Sequence, residues 1–153
     1  MRLIQASEVQ KLTGLTSDQL REWTSRRGLI QADLKPSGPG TRARFAWQSV
    51  LLLRIAVVLK ERFHIELQSQ KPLFLALSVR LAKISFPALR ETALVLEPGG
   101  GFDILPLGAL RRLAEKGDCL ILTLDPHLDL LSMQFGMPAP MRQLPLFPVR
   151  AIR

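Results

Sequence analysis

Apolar residues recur along this chain with two different periods, and the change of period divides it. Ser7-Glu8-Val9-Gln10 is a capping-box sequence, with Ser7 suited to the third helical amide and Gln10 to the return bond. Val9 and Leu12 then share one face of a short helix, and Gly14 predicts its end. Thr16-Ser17-Asp18-Gln19 is a second capping box, after which Leu20 and Trp23 share an inward face. The boxes start nine residues apart, so only two short helices and a tight turn fit between them. That is helix-turn-helix spacing, with Gly14 in the turn and Leu15 plugging the core. Gly28-Leu29-Ile30 closes the second helix. Pro36, Gly38, Pro39 and Gly40 then predict a tight loop, and Arg42, Ala43 and Arg44 a short strand. Trp47, Val50, Leu51, Ile55, Val58 and Leu59 repeat at helical spacing, which predicts a third helix over 47–63 with these residues in the core.

The second half carries mixed periods. His64–Ser85 predicts helix, broken near Lys71-Pro72, with Leu73, Leu77 and Leu81 on one stripe and Pro87 as its end. Thr92–Leu96 and Phe102–Leu105 flank Pro98-Gly99-Gly100-Gly101 and predict a hairpin. "LGALRRLAEKGD" predicts a short amphipathic helix, "CLILTL" a buried strand, and Asp125-Pro126 a turn. The fold class is therefore α+β. The expected segments are 1–65, a helix-turn-helix unit with a basic hairpin; 66–88, a connecting helix; 89–137, a small α+β module of three or four strands with an antiparallel hairpin; and 138–153, a Pro-rich apolar tail. Leu144, Leu146, Phe147, Val149 and Ile152 in that tail need cover from their own domain, a second subunit or another protein.

Charge changes this picture by locating the partner. The chain carries +8 formally, which biases it toward polyanions. Residues 1–62 hold 11 Lys and Arg against 5 Asp and Glu, a net of +6, whereas 63–137 hold 7 against 8. The polyanion-facing part is thus expected in the first sixty residues. A hydrophobic content of 47% suffices for a core and excludes a disordered chain. Neither an apolar leader nor a membrane-spanning run is evident, so a cytoplasmic protein, with no membrane partner, is expected.

Candidate chemistry removes further classes. Cys119 is the sole cysteine, which rules out an internal disulfide and a multi-cysteine metal site. His64 and His127 have no ligand-spaced neighbours. Gly99–Gly101 lies between strands instead of between a strand and a helix, so it reads as a hairpin turn and not a phosphate loop. Asp125 and Asp129 flank His127, and a turn cap is the preferred reading. Cys119 is expected to be a buried, inert thiol. With no nucleophile, acid–base pair or metal set, no enzymatic activity and no cofactor are expected.

The order helix, turn, helix, basic hairpin, long helix resembles the winged helix-turn-helix domain of the MerR family of bacterial transcription regulators. The resemblance rests on "SEVQKLTGLTSDQLREW", "RRGLI" and "GTRARFAWQSVLLLRIAVVL", and covers roughly residues 3–65. Leu20-Arg21-Glu22-Trp23 matches the family's Leu-Arg-aromatic-aromatic element with Glu22 in place of one aromatic. Gly40-Thr41-Arg42-Ala43-Arg44-Phe45 matches the wing. The resemblance implies a MerR-like winged helix and a sequence-specific regulator of transcription on double-stranded DNA, nucleoid-associated when bound. Pairing on palindromic sites implies a homodimer, expected through the C-terminal half. Arg21, Arg42 and Arg44 are then expected at phosphates or in the minor groove, and Ser17, Asp18 and Glu22 at base edges. Thr24 shares the outer face of the second helix, Thr16 opens it, and Lys35 precedes the wing loop. Arg26 and Arg27 suit either the helix dipole or the DNA backbone. The rival expectations are an excisionase-like architectural factor and an antitoxin or anti-activator whose C-terminal half holds a protein partner.

Overall fold

Gln5, not Ser7, starts the first helix in a computed structural model of the protein, which describes residues 1–138. Gln5 and Glu8 form the reciprocal capping box, and Ser7 lies exposed within the first turn. The box moved two residues toward the N-terminus because Ile4 and Gln5 are held in a strand, β1 (Ile4–Gln5). That strand pairs antiparallel with β2 (Arg44–Phe45), in register Ile4 to Phe45 and Gln5 to Arg44. Helix α1 (Ala6–Thr13) ends at Gly14, whose φ of 75° a side chain would strain. Leu15 is buried in the turn, as its place in the sequence predicts.

Helix α2 (Ser17–Arg21) begins with the expected box, in which Gln19 N donates to Thr16 Oγ1 and Thr16 N to Gln19 Oε1. It continues as one wider π turn over Glu22–Arg26, closed where Arg27 N donates to Glu22 O. Leu20 and Trp23 pack inward. Helix α3 (Trp47–Glu61) follows and stops two residues before the predicted end. Nine of its residues are buried, including Leu51, Leu52 and Leu53 in succession. Three consecutive buried positions span most of a helix's circumference, so α3 is covered from several sides at once.

The cover comes from both halves of the chain. His64 to Leu67 is not helical: His64 adopts φ 53°, and a 3-10 turn covers Gln68–Gln70. Pro72 opens helix α4 (Lys71–Leu81) instead of breaking one, because proline fits the first turn, where its missing amide has no partner to lose. Leu73, Leu77 and Leu81 face the core as the stripe predicts. A 3-10 turn at Pro87–Leu89 then leads into β3 (Thr92–Leu96).

Strand β3 is the centre of a three-stranded antiparallel sheet between β4 (Phe102–Pro106) and β5 (Leu120–Thr123). The glycine turn closes the hairpin, with Glu97 N donating to Gly101 O. The predicted amphipathic helix at Leu107–Glu115 is a 3-10 helix. Cys119, expected to be buried, is half-exposed just before β5. Asp125-Pro126 does not make a turn; it opens helix α5 (Asp125–Phe135), again with proline in the first turn.

Two polar contacts fasten these layers. Arg90 pairs with Asp129 at 2.5 Å and Asp125 at 3.6 Å, and lies over the Phe86 ring, which meets Trp47 edge-on. Asp125 also accepts from Glu91 N, so its carboxylate ties α5 to the start of β3 and is not a helix cap. Arg54 of α3 donates through Nε to His127 Nδ1 at 3.0 Å and through Nη1 to the Leu12 carbonyl. One hydrophobic core runs from Ile4 to Phe135, so segments 1–65, 66–88 and 89–137 share it. The tail from residue 139 lies outside the described residues.

That continuity predicts one unfolding transition. Leu128 is fully buried on α5, so Leu128→Ala should cost about 2–5 kcal/mol. The loss should appear in tryptophan fluorescence as fully as in circular dichroism, although both tryptophans lie in the first 47 residues. A fluorescence midpoint that does not move would show that the two halves unfold apart. Burial, with Arg54 and Arg62 nearby, lowers the His127 pKa from 6.5 to about 4. The unfolded chain therefore binds the proton first as pH falls. Stability should drop between pH 6.5 and about 4, and His127→Gln should remove that part of the slope in a pH series of denaturation curves.

Candidate nucleic-acid interface

The basic hairpin is built to hold one shape. Leu34 and Arg44 exchange backbone hydrogen bonds at 3.0 and 3.1 Å and close its base. Asp33 accepts from Ala46 N at 2.7 Å, which fixes that base to the start of α3. At the tip the Thr41 hydroxyl accepts from Ser37 N and Gly38 N and donates to Gly38 O. Gly40 next to it has φ 82°, a conformation that favours glycine. Arg44 is in β2, whereas Arg42, expected in the strand, precedes it in the loop.

Between this hairpin, α2 and the N-terminal end of α1 lies an open concavity of about 790 Å³. Arg21, Lys35 and Arg42 line it from α2 and from the two arms of the hairpin, and all three are exposed. Among the described residues, no Asp or Glu lines it. Around the cations stand the short polar side chains of Ser7, Ser17, Thr24 and Ser25 and the amides of Gln10 and Gln31. The arrangement presents positive charge and small hydrogen-bonding groups to one volume with no acid to oppose an anion.

Four sequence expectations therefore converge here: Ser17, Arg21, Lys35 and Arg42. Thr24 reaches the same concavity but as its floor. It is buried, and its hydroxyl donates to Leu20 O at 2.7 Å, so it is not on the outer face of the helix. Thr24 stands four residues after Leu20, so helical spacing itself sets it on the inward side. Thr16 spends its hydroxyl on the cap. Asp18 is exposed but does not line the concavity, and neither does Arg44.

Glu22 is held by its own helix. Its carboxylate meets Arg27 Nε at 2.5 Å and Arg26 Nη1 at 3.4 Å. The Arg27 guanidinium first, with Arg26 behind it, holds the Glu22 carboxyl below its ordinary range. Arg26 and Arg27 are exposed and outside the concavity, so all three residues form one ion-pair group beside it. Lys71 from α4 donates to Arg27 O at 3.1 Å and secures the end of the helix. Gln10, Gln31 and Ser25 also line the concavity and carry no sequence signal for it. Nothing in their spacing marks them, because three separate segments bring them together.

Among the described residues no cluster of His, Cys, Asp or Glu is placed to hold a metal ion, and no helix is long and apolar enough to cross a membrane. No protein-family model and no curated protein matches this chain.

Two measurements check the local architecture. Thr16→Ala should lower stability by about 1 kcal/mol through loss of the α2 cap, read by denaturant titration. Arg27→Gln should return the Glu22 carboxyl toward its ordinary pKa, followed by carboxyl-carbon NMR titration. An unchanged Glu22 titration would place its partner elsewhere.

Proposed function

We propose that this protein is a sequence-specific regulator of transcription on double-stranded DNA, with residues 1–65 forming a MerR-like winged helix-turn-helix and residues 34–44 its wing. The observation that carries this reading is the acid-free concavity between α2 and the hairpin, with Arg21, Lys35 and Arg42 around it. A phosphate backbone needs fixed cations, short donors and no facing carboxylate, and the concavity offers all three. Gly14 and Leu15 make the tight junction that lets α2 project its N-terminal end. Ser17 and Asp18 then stand at the end of α2 suited to base edges, and Arg21 and Arg42 position the backbone. Glu22 reads no base in this mechanism; it restrains Arg26 and Arg27.

Fluorescence anisotropy with duplex DNA across a salt series tests it. Arg21→Ala with Arg42→Ala should weaken binding to every duplex and lower the magnitude of the logarithmic salt slope by about 2. A folded double variant with wild-type affinity and slope would remove the concavity from DNA binding.

Regulators of this size gain affinity by pairing on palindromic half-sites, and we place two copies on one site. Leu75 and Val79, one turn apart on α4, are 67% and 54% exposed and supply a face for pairing, in the connecting segment 66–88 and not in the module 89–137 expected to pair. Leu75→Asp with Val79→Asp should yield a monomer in sedimentation equilibrium. It should lose roughly 10-fold in affinity for a two-half-site duplex and none for a single half-site. A wild-type chain that sediments as a monomer would instead give this face to another protein. That is the second reading, an antitoxin or anti-activator that also binds DNA.

A further inference from the structure

Away from the hairpin concavity, and sharing no lining residue with it, a second hollow of about 390 Å³ opens between the C-terminal half of α3, β5 and the start of α5. Its polar wall is Arg54, Arg62 and His127, and its apolar wall includes Val57, Ile121 and Pro126.

Arg54 is the feature that needs explaining. It is half-buried in a helix whose neighbouring Leu53 and Ile55 are buried. Its recorded partners are neutral, a carbonyl oxygen and an imidazole nitrogen. Among the described residues no carboxylate lies within ion-pair distance of Arg54 or Arg62. Glu61 on the rim, the one acid among the lining residues, pairs with neither. Residues 139–153 contain no Asp or Glu side chain. A guanidinium removed from water ordinarily acquires a counter-charge, because its desolvation is otherwise uncompensated. Arg54 has donors left over, since a guanidinium carries five N–H groups and two are accounted for.

We infer that this hollow binds a small organic anion, with a carboxylate or phosphomonoester head between Arg54 and Arg62 and a compact apolar body against Val57, Ile121 and Pro126. The volume lies in the range of small-molecule sites. Two cations with little opposing charge select an anionic head, and the aliphatic wall selects an apolar body. Neutral His127 accepts from Arg54 through Nδ1 and stands beside the head, so a bound anion favours its protonated form. Arg54 also holds the Leu12 carbonyl in the last turn of α1, immediately before Gly14. A ligand drawing on Arg54 thereby acts on the junction between α1 and α2.

The chain has two histidines, so the His127 ring protons can be followed by NMR with exposed His64 as an internal reference. The full chain is titrated with benzoate, phenyl phosphate and, as a neutral counterpart, benzyl alcohol, with no DNA present. Saturable shifts at His127 with Kd of about 1 mM or tighter are expected for at least one anion, with an upward shift of its titration. The anion that binds better identifies the head group. Benzyl alcohol should leave His127 unmoved. Arg62→Gln, chosen because Arg62 is exposed and lies outside the contact with Leu12, should weaken the anion about 10-fold. No saturable His127 shift from either anion up to about 10 mM would overturn the inference. An equal response to benzyl alcohol, or unchanged affinity in Arg62→Gln, would do the same. Because the readout is ligand binding alone, its failure would leave the DNA-binding reading untouched.

Discussion

The structure depends on burying one helix. Helix α3 is apolar around most of its circumference, and a lone helix of that kind cannot rest against a single layer. Helix α1 covers part of it, α4 another part, and α5 a third. Each covering element is short or weakly amphipathic and gains most of its stability by docking on α3. The first sixty residues therefore do not own their core. Leu52 and Ile55 are buried in the same cluster as Leu77 and Leu128 of the second half.

Charge is handled differently on the two sides of that core. Where α5 meets the sheet, Arg90 is closed off by two aspartates and an aromatic ring, an arrangement that fastens elements and leaves little for a ligand. At the end of α2, Glu22 ties down Arg26 and Arg27. Around the hairpin, by contrast, no acid among the described residues balances Arg21, Lys35 or Arg42. The net positive charge of the first half is thus divided between cations with internal partners and cations left facing solvent. That division, more than the total, marks the candidate surface.

Local signals were legible in the sequence, and signals that depend on distant segments were not. Thr16 to Gln19, Gly14 and Gly99–Gly101 specify caps and turns within a few residues, and they form where the sequence places them. The α+β class and the hairpin of β3 with β4 followed from the same local patterns. Ser7 failed as a cap because the pairing of Ile4 with Phe45, forty residues away, reset the helix start. Pro72 and Pro126 look like breaks to a reader of sequence but open helices, since only the preceding chain path decides which they do. In the candidate site, Arg21 and Arg42 stood out by charge. Thr24, four residues after Leu20, falls on the inward side by ordinary helical spacing, and Gln10 and Gln31 were invisible because their proximity is made by the fold. Arg54 reads as a blemish in an apolar helix until His127 and Leu12 are seen beside it.

The knot at Thr41 has a consequence for timing. One hydroxyl there accepts from two amides and donates to a carbonyl, so the tip of the hairpin is assembled while the chain folds. A loop ordered in advance has little conformational entropy left to lose when it meets a partner. On the proposed reading, encounters with a polyanion would then succeed at a rate set by diffusion and by the field of Lys35 and Arg42, not by a search among loop shapes.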